Sequence, residues 1–231
     1  MTSYRYRALR GGVTSLLAIA VSVLWLSVKG TAEPAEVRAL WVVRTTLSSP
    51  AAIETMVETA RASGFNTLIV QVRGRADSYF AGGLEPRPSS LAGQPAFDPL
   101  AAVIAQAHAA GLQVHAWVNL NLVAGVGELP TARDHVVYRR PEWLMVPRQL
   151  AAELSTVDSK SPQYLGRLAR YVRSRPNELE GLYVSPIGPA AREYTAGVVR
   201  DIVQRYEIDG VHLDYARYPS EDFDYNRDTL A

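Results

Sequence analysis

Residues 209–219 read DGVHLDYARYP. Val211, Leu213 and Tyr215 alternate as one face of a buried strand would, while His212 and Asp214 fall on the opposite face. Two such groups are costly to hide unless something pairs with them. The segment therefore reads as a strand with one aliphatic side and one side built for polar work. The preceding stretch AAREYTAGVVRDIVQRYEI (190–208) has Val198, Val199, Ile202, Val203 and Tyr206 at the spacing of one helical face, so a helix delivers the chain to this strand.

The same alternation of short apolar runs and helical stretches runs upstream. VRALWVV (37–43), FNTLIVQVRG (65–74) and LQVHAWVNL (112–120) read as strands. Between them lie a helix over 50–63, with Ser48 or Ser49 as its cap and Gly64 as its stop, and a helix over 98–111, capped by Asp98 with Pro99 at its first position. From Val123 to Pro186 the chain carries Pro130, Pro141, Pro147, Pro162 and Pro176 before that last proline, and it reads as loop around one short helix near Gln163–Arg173. Strands alternating with helices predict an α/β fold with a parallel sheet. Either an open doubly wound sheet or a (β/α) barrel fits, but RTTLSSP follows the first strand where a nucleotide-binding sheet would carry its glycine-rich loop.

Parity then assigns the faces. Leu68, Val70 and Val72 oppose Gln71 and Arg73; Val114, Ala116 and Val118 oppose His115, Trp117 and Asn119; Val211 and Leu213 oppose His212 and Asp214. In a barrel the aliphatic face meets the outer helices, and the polar groups gather at the carboxyl ends of the strands. A buried structural His–Asp network is the competing reading of His212 and Asp214.

Composition bounds the rest. The chain has 231 residues, 48% of them apolar and 20% charged, enough to bury a large core. Arg5, Arg7 and Arg10 precede an apolar run from Val13 to Val28, with small residues at Gly30 and Ala32, the pattern of an export signal spanning 1–32. At sixteen residues the run falls short of the roughly 20 a membrane-spanning helix needs. Residues 33–231 then form the mature part, with 20 basic against 23 acidic residues, a net charge of −3 that argues against a nucleic-acid partner. The absence of cysteine removes disulfides, thiolate metal sites and a lipid-modified cysteine. A periplasmic or extracellular location is expected, without stable membrane insertion.

The segments ALWVVRTT, NTLIVQVRGRADSYF, DPLAAVIAQAHAAGLQVHAWVN, PEWL and DGVHLDYARYP together resemble the glycosyl hydrolase-like 10 family, from about Glu36 to Asn226. The resemblance implies a (β/α)8 barrel of the TIM type that acts on glycans, possibilities including bacterial cell-wall strands. Such a barrel has eight strands in about 250 residues, so the four strands read here would be its amino-terminal half, about four βα units. The resemblance makes Asp214 the leading catalytic carboxylate. It places Arg73 and Asp77 after the second strand, His115, Trp117 and Asn119 on the third, and Arg217 and Tyr218 after the fourth, as sugar-site residues. The family's usual continuation after HAW-N is replaced here by NLNLV at 119–123.

Glycosidic cleavage uses two carboxyl groups, one to protonate the leaving oxygen and one as nucleophile or base. Asp214 is the first candidate and Asp77 the second. His212 is placed to orient Asp214, Arg73 or Arg217 to keep it ionised, and Trp117, Tyr215 and Tyr218 to offer flat faces to sugar rings. Glu221, Asp222 and Asp224 read as a solvated run. This chemistry calls for no cofactor and no metal; the partner is a polysaccharide or oligosaccharide. A metal-dependent hydrolase built on His115, His212 and Asp214 is a weaker rival, and a glycan-binding protein without turnover is a rival of another class.

Overall fold

The computed structural model describes residues 36–226. The expected export segment lies outside them.

Four strands form one parallel sheet: β1 (Ala39–Val42), β2 (Thr67–Arg73), β3 (Gln113–Asn119) and, later in the chain, β6 (Gly210–Asp214). Their spatial order follows chain order, β1-β2-β3-β6. No reversal of winding occurs, so the crevice where doubly wound sheets bind nucleotides has no counterpart in this sheet. Helix α1 (Pro50–Ala62) links β1 to β2, and α2 (Pro99–Ala109) links β2 to β3. Both begin as the sequence dictates: Ser49 Oγ accepts from the Ala52 N–H at 3.2 Å, and Asp98 Oδ1 from the Ala101 N–H at 3.1 Å, each followed by proline at the first helical position. Gly64 and Gly111, both at positive φ, end the two helical segments.

One core binds this layer together. Val70 and Val72 of β2 and Val114, Ala116 and Val118 of β3 meet Ile53 and Val57 of α1 and Leu100 and Val103 of α2. Val198 and Ile202 join them from the later helix α4 (Pro189–Arg205). The helices thus cover the aliphatic face that strand parity marks out. Leu213 shares that parity on β6 but remains 55% exposed.

The section from 123 to 186 is more ordered than its prolines suggest. Strands β4 (Leu122–Gly125) and β5 (Gly181–Tyr183) pair antiparallel into a second sheet, and α3 (Pro162–Arg173) packs Leu165, Leu168 and Val172 into a core of its own with Val123, Val146 and Leu182. This corrects the expectation of loop around one helix. Strands of four and three residues are too short to display a period-two pattern. The second sheet is tied to the first where β3 ends: the Leu120 and Asn121 N–H groups donate to the carbonyls of Asp214 and Tyr215, and Val184 N–H donates to the Asn121 carbonyl.

Candidate functional site

The polar face of the parallel sheet is assembled by register. Trp117 lies opposite His212 and Asn119 opposite Asp214. Trp41, from β1, reaches over the same face, its ring 4.9 Å from Trp117 and 5.4 Å from His212, both edge-on. Trp41 is 53% exposed, so this face is open rather than sealed beneath helices.

Asp214 stands at the carboxyl end of β6, half-buried, with both oxygens engaged. Trp117 Nε1 donates to Oδ2 at 3.0 Å, and the Tyr215 backbone N–H donates to Oδ1 at 2.7 Å. The expected orienting role of His212 is not what the geometry gives. His212 Nε2 lies 2.9 Å from His115 Nδ1, so the two imidazoles bond each other and Trp117 holds the carboxylate. Burial and the neighbouring His212 push His115 below the ordinary imidazole range. Among the described residues no three His, Cys, Asp or Glu side chains gather as a metal site.

Arg73 does not face the opening. A register shift between Gln71 and Arg73 at the end of β2 accompanies its turn into the interior, where it is 1% exposed. Its Nε and Nη2 meet the two oxygens of Glu85 at 2.6 Å each, and its Nη1 donates to the carbonyls of Asn119 and Leu120. Burial lowers the affinity of such a guanidinium for its proton, but Glu85 more than compensates and holds it above its ordinary value. Arg73 is therefore a clamp on the end of β3, neither a sugar contact nor the counter-charge of Asp214. Asn119 is likewise fully buried; its Nδ2 donates to the Gly74 carbonyl at 2.9 Å, while its Oδ1 has no hydrogen-bond partner among the described residues.

Asp77 caps a loop. Its Oδ1 accepts from the N–H groups of Gly74 and Arg75 at 3.1 and 2.8 Å, and its Oδ2 lies 3.9 Å from Arg44 Nε. Arg217 pairs with Glu180 at 2.7 Å rather than with Asp214. Burial alone would raise the Glu180 carboxyl, yet hydrogen bonds from Arg217 and from Tyr183 Oη outweigh it and hold the group below its ordinary value.

Tyr215 departs from the strand parity assigned to it. β6 ends at Asp214, and Tyr215 takes φ +51°, an uncommon conformation for a residue with this side chain. Its ring leaves the aliphatic face and lies 6.1 Å from Tyr183, with the guanidinium carbons of Arg75 and Arg217 at 5.7 and 5.1 Å from its centre. Tyr218 is 40% exposed on the following loop. Glu221 is exposed as expected, whereas Asp224 is buried and accepts from Ser185 Oγ at 2.7 Å, so the acidic run is only partly solvated.

Four contributors went unread in the sequence: Trp41, Arg75, Glu85 and Glu180. Parity within ALWV would have placed Trp41 beside Trp117. The other three are loop or strand-edge residues whose partners lie far along the chain, and no local pattern marks them.

The polar face of the parallel sheet thus gathers two tryptophans, a hydrogen-bonded pair of histidines and the carboxylate of Asp214. The chain is a member of the Glycosyl hydrolase-like 10 family, whose model matches residues 36–231. It is 26% identical over 170 residues to glycosyl hydrolase YngK of Bacillus subtilis, covering 71% of this chain and 27% of that protein. It is 25% identical over 158 residues to glycosyl hydrolase DigH of Escherichia coli, covering 65% of this chain and 30% of that protein. The chain thus spans less than a third of the length of these relatives. A hypothetical protein from Ruminiclostridium thermocellum superposes over 80% of both chains with a TM-score of 0.48 and 14% identity.

Proposed function

We propose that this chain provides the catalytic strand ends of an exported glycosidase that hydrolyses O-glycosidic bonds in a polysaccharide, bacterial cell-wall glycan being the candidate substrate, with the parallel sheet as part of a (β/α) barrel. The observation that carries this reading is the position of Asp214. It ends β6, at one edge of the parallel sheet, on an open face, oriented by Trp117 Nε1 and the Tyr215 N–H. A carboxylate bonded twice by fixed donors keeps one geometry, as a nucleophile or base requires. Trp41 and Trp117 supply flat apolar surface beside it, suited to a sugar ring.

In this reading Asp214 acts directly on the anomeric carbon or on the attacking water, and a second carboxyl group protonates the leaving oxygen. Asp77 keeps that second role only if the loop releases it from the Gly74 and Arg75 amides. That engagement favours a second reading, glycan binding without turnover. Export is inferred from the basic, apolar and small-residue pattern of residues 1–32.

The test is release of reducing ends from a cell-wall glycan by the protein and by Asp214→Asn. Turnover by the unaltered protein, lost in the variant while binding persists, supports hydrolysis. Binding without turnover in both selects the second reading. Mass spectrometry of the exported protein's first residue tests cleavage near Ala32.

A further inference from the structure

Tyr215 holds a conformation that a bulky residue disfavours. Its φ of +51° lies in the left-handed region, where such a side chain crowds its own backbone and persists only when the surroundings fix it. The second sheet supplies those surroundings. The Tyr215 ring packs against a small apolar cluster separate from the two larger cores, made of Leu122, Met145 and Tyr183, all buried. The Tyr183 ring, 1% exposed, lies 6.1 Å from that of Tyr215 in a tilted pair.

Glu180, just before β5, ties the neighbours of that ring together. Its Oε2 accepts from Tyr183 Oη at 2.9 Å, and its Oε1 accepts from Arg217 Nη2 at 2.7 Å. The Arg217 guanidinium carbon in turn lies 5.1 Å from the centre of the Tyr215 ring. One carboxylate thus fixes two side chains that lie against Tyr215.

The effect reaches Asp214 through a peptide plane. The peptide joining Asp214 to Tyr215 is rigid, and its N–H donates to Asp214 Oδ1 at 2.7 Å. With the Tyr215 ring anchored and φ held, that plane has one orientation. If φ relaxed to ordinary negative values with the ring in place, the plane would swing and carry its N–H away from Oδ1. We propose that Tyr183 and Glu180 are positioning residues for the Asp214 carboxylate, acting through the conformation they impose on Tyr215. This rests on the reading of Asp214 as the working carboxylate, and it gives the second sheet the role of a strut behind that group.

Amide exchange at Tyr215, followed by NMR, tests the geometry without any turnover. Glu180→Ala removes both acceptors from a half-exposed position, and Tyr183→Phe removes only the donor, so both variants keep the buried cluster filled. Exchange at Tyr215 should rise about threefold to tenfold in Glu180→Ala, the worth of one ion pair and one hydrogen bond, and less in Tyr183→Phe. The Val184 amide, which donates to the Asn121 carbonyl, should keep its protection in both. Glu180→Gln retains an acceptor for Arg217 and should recover part of the loss. Initial rates of reducing-end release should show kcat falling by a similar factor in Glu180→Ala, with KM within about twofold. Unchanged exchange at Tyr215 in Glu180→Ala overturns the proposal. A rise shared equally by Val184 overturns it too, because the second sheet has then merely loosened. So does raised exchange at Tyr215 with kcat unchanged, since the carboxylate then works without this support. A parent protein without turnover sinks the hydrolytic reading alone, and exchange at Tyr215 still decides whether Asp214 is positioned in this way.

Discussion

The indole N–H of Trp117 donates to Oδ2 of Asp214 across 3.0 Å, joining the middle of β3 to the end of β6. Trp117→Phe removes that donor and keeps most of the ring. The carboxylate then retains only the Tyr215 N–H as a fixed partner. Turnover should fall about tenfold to a hundredfold, the worth of one hydrogen bond to a charged group, with KM for the glycan changing far less. Initial rates of reducing-end release give the split. An equal loss in KM would mean that Trp117 serves as a binding platform instead.

The Arg73–Glu85 pair sets up a second expectation. Glu85→Gln leaves a buried guanidinium without its counter-charge, which should cost about 3–5 kcal/mol and show as a lowered midpoint in urea unfolding. Replacing both residues with apolar ones should not restore full stability. Arg73 also serves the Asn119 and Leu120 carbonyls, which would then lose a buried donor. A double variant as stable as the parent would show that those carbonyls find other partners.

Acidification should destabilise the fold through its imidazoles. Burial holds both His115 and His135 below the ordinary value of about 6.5. Between that value and their folded-state values the unfolded chain binds more protons than the native one, so stability falls as pH drops through this window and levels off beneath it. His135 has a structural reason to resist protonation, because its Nδ1 accepts from the Val137 N–H. Thermal midpoints between pH 7.5 and 5 should decline, and His135→Gln should flatten the decline. A midpoint that rises on acidification would reverse the sign of the argument.

The parts of this architecture that could be read from the chain are those with a repeating local cause. Period-two alternation in LIVQV and VHAWV assigned core and polar faces correctly, since every second side chain had to meet α1 or α2. Ser49 and Asp98 announced their helices because orphan N–H groups at a helix start need an acceptor. What escaped has a non-local cause. Glu85 lies in a loop and finds Arg73 only after the chain turns back, and Glu180 meets Arg217 across 37 positions. Tyr215 continued the strand pattern on paper, yet its left-handed backbone sends its ring toward Tyr183. Asp214 was legible as a polar group on a strand; its partner was not, because Trp117 and His212 compete for it at the same register position and only side-chain geometry chooses.

The second sheet offers a last test, of packing rather than charge. Gly181 opens β5 against Gly125 of β4, and a Cβ built there would collide with the carbonyl oxygen and carbon of Ala124. Those atoms are backbone, so no side chain can swing aside. Gly181→Ala should therefore separate the two strands and destabilise the protein by about 3 kcal/mol or more, the upper range for overpacking a site that cannot relax. Gly93, where a Cβ would meet nothing within 4 Å, supplies the control: Gly93→Ala should leave the unfolding midpoint nearly unchanged. Val184, next to β5, is hydrogen-bonded to the Asn121 carbonyl, and the Asn121 N–H donates to the Tyr215 carbonyl just past the end of β6, so loss at Gly181 should also loosen the backbone at Tyr215. Hydrogen exchange would then rise at the Asn121 and Val184 amides together, while the amides of β2 keep their protection. Exchange confined to Gly181 itself would show that the two sheets open independently.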